Sequence, residues 1–138
     1  MLSRVYTAGL CGIDGFSVTV ECSGWDRLAR FEVVGLPDLA VKEAKERVRA
    51  ACENSGFLFP AMAMTVNLAP ADRKKEGSAF DAAILCALLA SAGVINADFS
   101  DKCIVGELSL SGELRAVRGT LCLCAAAKDA GFCFCAAS

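Results

Sequence analysis

The 138-residue chain contains no histidine. That absence removes the commonest general base, the usual partner of a serine or cysteine nucleophile, and the commonest zinc ligand, and many hydrolytic mechanisms go with them. Long apolar runs are missing too. Hydrophobic residues make up 55% of the chain, yet an uninterrupted stretch such as Ala82 to Ala90 falls well short of the roughly 20 residues that span a bilayer. The opening MLSRVYTAGL also lacks the apolar core and small-residue cleavage site of a secretory signal. These absences lead us to expect a soluble, cytoplasmic chain with no membrane contact. Excess positive charge is absent as well: 14 Lys and Arg face 16 Asp and Glu, a net charge of −2. A surface built wholly for nucleic acid is excluded, and any polyanion contact must be local.

Cysteine, by contrast, is plentiful. Nine are present, an odd number, and Cys22, Cys86 and Cys103 sit inside apolar runs. Without an export signal, reduced and mostly buried thiols are expected rather than a disulfide framework. The pairs Cys122/Cys124 and Cys133/Cys135 supply four thiolates, but zinc sites usually leave two to four residues between ligands. No metal site is expected.

The length suits a single domain, residues 1–138. SVTVECS (17–23) alternates strictly and ARFEVVGL (29–36) is a second β-rich run, so the opening segment is predicted to form a hairpin with SVTVEC around Gly12 to Gly15. A helical stripe of Val41, Ala44, Val48 and Ala51 follows, with Asp38 as N-cap, Gly56 as the stop and a solvated charged face opposite. AMTVNLAPA (63–71) reads as a strand and SAFDAAILCALLASAG (78–93) as a helix apolar almost all round. A hairpin over 103–117 turning at Ser111-Gly112, a helix over Thr120–Asp129 and a strand over Phe132–Ala136 complete the chain. The mixture implies an α+β or α/β domain with helices packed on a sheet.

The turn APADRKKEGSAFD (69–81) is where chemistry is most expected. A phosphate-binding loop needs G-x-x-x-x-G-K-[ST], but here Lys74 and Lys75 precede Gly77 and Glu76 intervenes, so no Walker A motif exists. Ser78 as a nucleophile would need a lysine base, and nothing in the sequence buries one. Ser78 with Asp81 three residues on resembles a capping box, which makes Ser78 a helix cap. Arg73, Lys74 and Lys75 form the densest basic run, directly before a helix N-terminus. They read either as a solvated turn or as a DNA or anion contact.

Three blocks carry a family resemblance: VGLPDLAVKEAKERVRAACENSGF (34–57), TVNLAPADRKKEGSAFDAAILCALLAS (65–91) and GELSLSGELRAVRG (106–119). They resemble the N-terminal domain of the ComM/YifB family, Mg-chelatase-like AAA+ proteins. The resemblance implies an α+β fold of the ribosomal protein S5 domain 2-like type, similar to the Lon proteolytic domain. It implies that this is an N-terminal fragment whose AAA+ module, with the ATP and magnesium sites, lies downstream; no cofactor is expected in these residues. Aligning Lys75-Glu76-Gly77 with Lon's Lys-Asp-Gly-Pro-Ser motif puts Ser78 at the proline and Ala79 at the nucleophile, while running on from Gly106-Glu107 puts Leu121 at the catalytic lysine. Catalytic residues are therefore expected to be absent. For the parent, the resemblance implies a hexameric DNA motor acting in branch migration during natural transformation. This domain would assist ring assembly and DNA contact, with its own AAA+ module as partner and Arg73, Lys74 and Lys75 as the DNA-contacting residues.

Overall fold

Alternation decides which side of each strand is buried. In the computed structural model, which describes residues 1–137, β1 (Leu2–Cys11) and β2 (Asp14–Trp25) form an antiparallel ladder from Leu2↔Ser23 to Cys11↔Asp14. A two-residue loop with Gly12 at φ +64° closes it, a backbone that favours glycine. Val18, Val20 and Cys22 are buried on one face while Ser17, Thr19, Glu21 and Ser23 face the other way. The predicted hairpin is present.

The next strand, β3 (Arg30–Val34), does not pair with β2. Instead β4 (Ala63–Ala69) lies between them, antiparallel to β2 and parallel to β3. Parallel neighbours need a crossover, and α1 (Leu39–Lys42) and α2 (Ala44–Asn54) supply it. Asp38 accepts from the Val41 amide at 2.8 Å as the predicted cap, and Gly56 ends α2 at φ +88°. The stripe Val41, Ala44, Val48 and Ala51 is buried to 1% exposure or less.

The remaining elements are α3 (Asp81–Ser91), β5 (Lys102–Val105), the short pair β6 (Glu107–Leu108) and β7 (Leu114–Arg115), α4 (Thr120–Asp129) and β8 (Cys133–Ala136). The six-stranded mixed sheet runs β3-β4-β2-β1-β5-β8, so the domain is α+β. The predicted hairpin over 103–117 is divided: β5 joins β1 and β8 in the main sheet, and only β6 and β7 pair around a loop containing Gly112. α2 and α3 cover one sheet face, where Val5, Val20, Val66, Leu68, Phe80 and Ile84 form the main core. A smaller cluster of Ala8, Cys103, Val105, Leu123 and Ala127 sits under α4 on the opposite face. Gly15 lets α4 come close, since a Cβ there would lie 2.5 Å from the Cys122 carbonyl oxygen.

Two expectations need correcting. Ser78 does not cap α3. The helix begins at Asp81 with Phe80 in the cap position and no side-chain cap bond, and the Ala82 amide donates instead to the Gly106 carbonyl at 3.1 Å. A backbone oxygen from the β5–β6 junction thus satisfies a donor that the serine was expected to serve. Nor are the thiols mostly buried. All nine are free, but only Cys22, Cys52 and Cys103 are fully buried, and Cys11, Cys124 and Cys133 are exposed.

Candidate functional site

The loop between β4 and α3 is held from beneath rather than offered to solvent. The Lys75 amide donates to the Leu36 carbonyl at 2.9 Å, and the Asp38 amide donates to the Lys75 carbonyl at 2.9 Å. The Asp38 carboxylate, already capping α1, also accepts from the Gly77 amide at 3.1 Å. These bonds draw Lys75 inward: its side chain is 0% exposed and its Nζ donates to the Pro70 carbonyl. Burial pushes the Lys75 ammonium pKa below its ordinary value, with Arg73 adding to the fall and Asp72 opposing it.

The basic triplet is therefore dispersed. Lys75 cannot reach a DNA backbone, which corrects its assignment as a contact residue. Arg73 stacks its guanidinium 3.9 Å from the Phe16 ring centroid. Lys74 projects outward with Glu76 at 3.8 Å, and Arg73 is exposed as well.

Beside this loop is a cleft of about 780 Å³, bounded by the β1 end (Ala8–Leu10), Glu76–Phe80 and Ala116–Gly119. Its charged lining is Asp38, Glu76, Glu107 and Arg118, and its nucleophile-bearing side chains are Ser78 and Cys122. Among the described residues neither nucleophile is hydrogen-bonded to a base, and Lys75 spends its Nζ on the Pro70 carbonyl. Ala79 lies in this cleft with its carbonyl accepting from the Gly106 amide at 2.9 Å. Leu121 points away from it, 83% exposed. Methyl and isobutyl groups at these positions transfer no protons.

Among the described residues no cluster of three or more His, Cys, Asp or Glu side chains is arranged to hold a metal ion. Among them, too, no helix is long and apolar enough to cross a membrane.

Comparison with known proteins now bears on this geometry. The family described as subunit ChlI of Mg-chelatase matches residues 18–135. Over 121 residues the chain is 45% identical to YifB of Escherichia coli (strain K12), an uncharacterized protein, covering 87% of the chain and 24% of that protein. It is 41% identical over 121 residues to the competence protein ComM of Haemophilus influenzae, with 87% and 24% covered. The chain belongs to the ComM/YifB family. A second YifB, from Salmonella typhimurium, is 42% identical over 131 residues, with 94% of the chain and 26% of that protein covered. The chain thus spans about a quarter of the length of these relatives.

Within this ComM/YifB domain the most completely satisfied polar centre is one that motif reading missed. Asp81 is 1% exposed, and Arg47 grips it with Nε to Oδ2 at 2.6 Å and Nη2 to Oδ1 at 3.1 Å. The Leu108 amide donates to Oδ2 at 3.1 Å, and Arg47 Nη2 donates to the Ala40 carbonyl at 2.7 Å. Burial raises the Asp81 carboxyl pKa, and the Arg47 and Leu108 donors oppose that rise without reversing it. Hydrogen bonding to Asp81 holds the Arg47 guanidinium above its ordinary value. Arg47 was expected on a solvated face; it faces inward because its partner lies there. The available signal was Asp81 itself, a lone charge in an otherwise apolar helical stretch.

Proposed function

We propose that residues 1–138 form a non-catalytic, Lon-like N-terminal domain of a ComM-type AAA+ DNA motor, with the S5 domain 2-like fold. In this reading the parent protein drives branch migration in natural transformation, and the domain assists ring assembly and DNA contact in the cytoplasm. ATP and magnesium chemistry belongs to the AAA+ module of the longer parent, which is the domain's first partner. One observation carries the non-catalytic part: Ala79 lies in the cleft where the family resemblance puts a nucleophile, and the nearby Lys75 is committed to Pro70. A serine hydrolase needs nucleophile and base in hydrogen-bond reach.

The test uses the full-length parent, with and without this domain. Removal is expected to reduce ring formation by light scattering and to weaken DNA binding, while ATP hydrolysis persists. Unchanged ring formation and DNA binding would sink the assisting role. Covalent labelling of Ser78 by a fluorophosphonate, abolished in Ser78→Ala, would overturn the non-catalytic reading in favour of a peptidase.

A further inference from the structure

α4 covers only part of its sheet face. It packs on the Gly15 end of β2, and toward β4 and β3 the same face ends in a corner whose composition differs from the polar, half-buried Thr19, Glu21, Ser23, Thr65 and Asn67 around it. Trp25 on β2 is level with Ala63 on β4, and Ala63 is level with Arg30 on β3. Because residues in register share a face, an indole and a guanidinium stand on either side of a methyl group. The Arg27 amide donates to the Trp25 carbonyl at 2.9 Å, a tight turn that brings the Arg27 guanidinium to 5.8 Å from the indole centroid. The slot so formed, about 320 Å³, is also lined by Leu28, Ala29 and Thr65.

Trp25 is 58% exposed, an unusual disposition for the largest apolar ring. Among the described residues neither Arg27 nor Arg30 forms an ion pair with a carboxylate. An aromatic wall, a small floor and two guanidinium groups without carboxylate partners among the described residues suit a planar ring that carries a phosphate. Asp26 and Glu32 lie close in sequence and balance the two positive charges, so stacking rather than a field of cations supplies the affinity.

We propose that this corner binds single-stranded DNA, one base stacking on Trp25 and the adjoining phosphate meeting Arg27 and Arg30. The proposal deepens the DNA-contact reading above and rests on it for the choice of DNA.

Trp25 is the only tryptophan in the chain, so its fluorescence reports this site alone. Titration of the chain with a single-stranded oligothymidylate of about 12 nucleotides should quench it saturably. Trp25→Ala, followed by anisotropy of a labelled oligonucleotide, should weaken binding about 5- to 150-fold, the range expected for one stacked base. One neutralised phosphate predicts a log–log salt slope of about −0.7. Arg27→Gln with Arg30→Gln should flatten that slope. The three side chains are on the surface, and unchanged thermal melting checks that the variants fold. Binding without quenching, and indifferent to Trp25→Ala, overturns this site while leaving DNA contact standing. No binding at low salt overturns both. Quenching that depends on protein concentration without DNA overturns the site in favour of self-association.

Discussion

Arg47 and Lys75 carry the same charge as Arg27 and Arg30, but the fold uses the two pairs in opposite ways. The first two are withdrawn from solvent and committed to Asp81, Ala40 and Pro70. The second two stand beside an exposed indole without carboxylate partners among the described residues. A basic run in the sequence therefore says little about a basic surface. What matters is whether neighbouring segments close over the side chain, as they do at Lys75, or leave it exposed at a sheet corner, as at Arg27.

The interior pair gives the largest expected effect. Arg47→Met would leave Asp81 buried with only the Leu108 amide for a partner, and removing one member of a buried ion pair costs about 3–5 kcal/mol. Urea unfolding at neutral pH should show this loss. Replacing both, Arg47→Met with Asp81→Leu, should recover much of it but remain short of the parent by about 1–3 kcal/mol, because the Leu108 amide loses its acceptor. If the single variant unfolds at the parent's urea concentration, Arg47 is a surface cation after all.

The same contrast applies to the thiols and gives a smaller, pH-dependent effect. Burial pushes Cys103 from 9.0 to about 11, with Cys135 and Cys124 adding to the rise. The folded state then holds its proton after the unfolded chain has released it, so the unfolded state binds fewer protons between these values. Stability from this group is present below pH 9 and falls as pH rises toward 11, by about 2 kcal/mol. Unfolding free energies across that window should decline less steeply in Cys103→Ala than in the parent. An equal slope in both would show that the thiol titrates normally in the folded state.

Local signals in the sequence were faithful where local physics decides. Strict alternation in SVTVECS places Val18, Val20 and Cys22 in the core, Asp38 caps α1, and the helix expected near Thr120 to Asp129 is present. They failed where a distant partner decides. Lys75 is buried by a parallel bridge to Pro37, and Asp81 is engaged by an arginine 34 positions earlier. The Trp25 corner was equally illegible: Trp25 and Arg30 are close in sequence, but Ala63, inserted between their strands, makes the slot. Ser78 looked like a cap because Ser-x-x-Asp is a capping pattern, and it lost that role when Gly106 supplied the carbonyl and Asp81 turned inward.

The smallest effect separates the two halves of the original basic run. Lys74 is 66% exposed and its one ion pair, with Glu76 at 3.8 Å, is equally exposed. Such a pair gains little in water and is screened by salt. Lys74→Ala should therefore change the unfolding free energy by no more than about 0.5 kcal/mol. It should also leave DNA affinity within about twofold, against the much larger loss expected at Trp25. A drop in DNA affinity for Lys74→Ala matching that of Trp25→Ala would return the contact to the β4–α3 loop, where Lys74 and Arg73 are the exposed cations of the triplet.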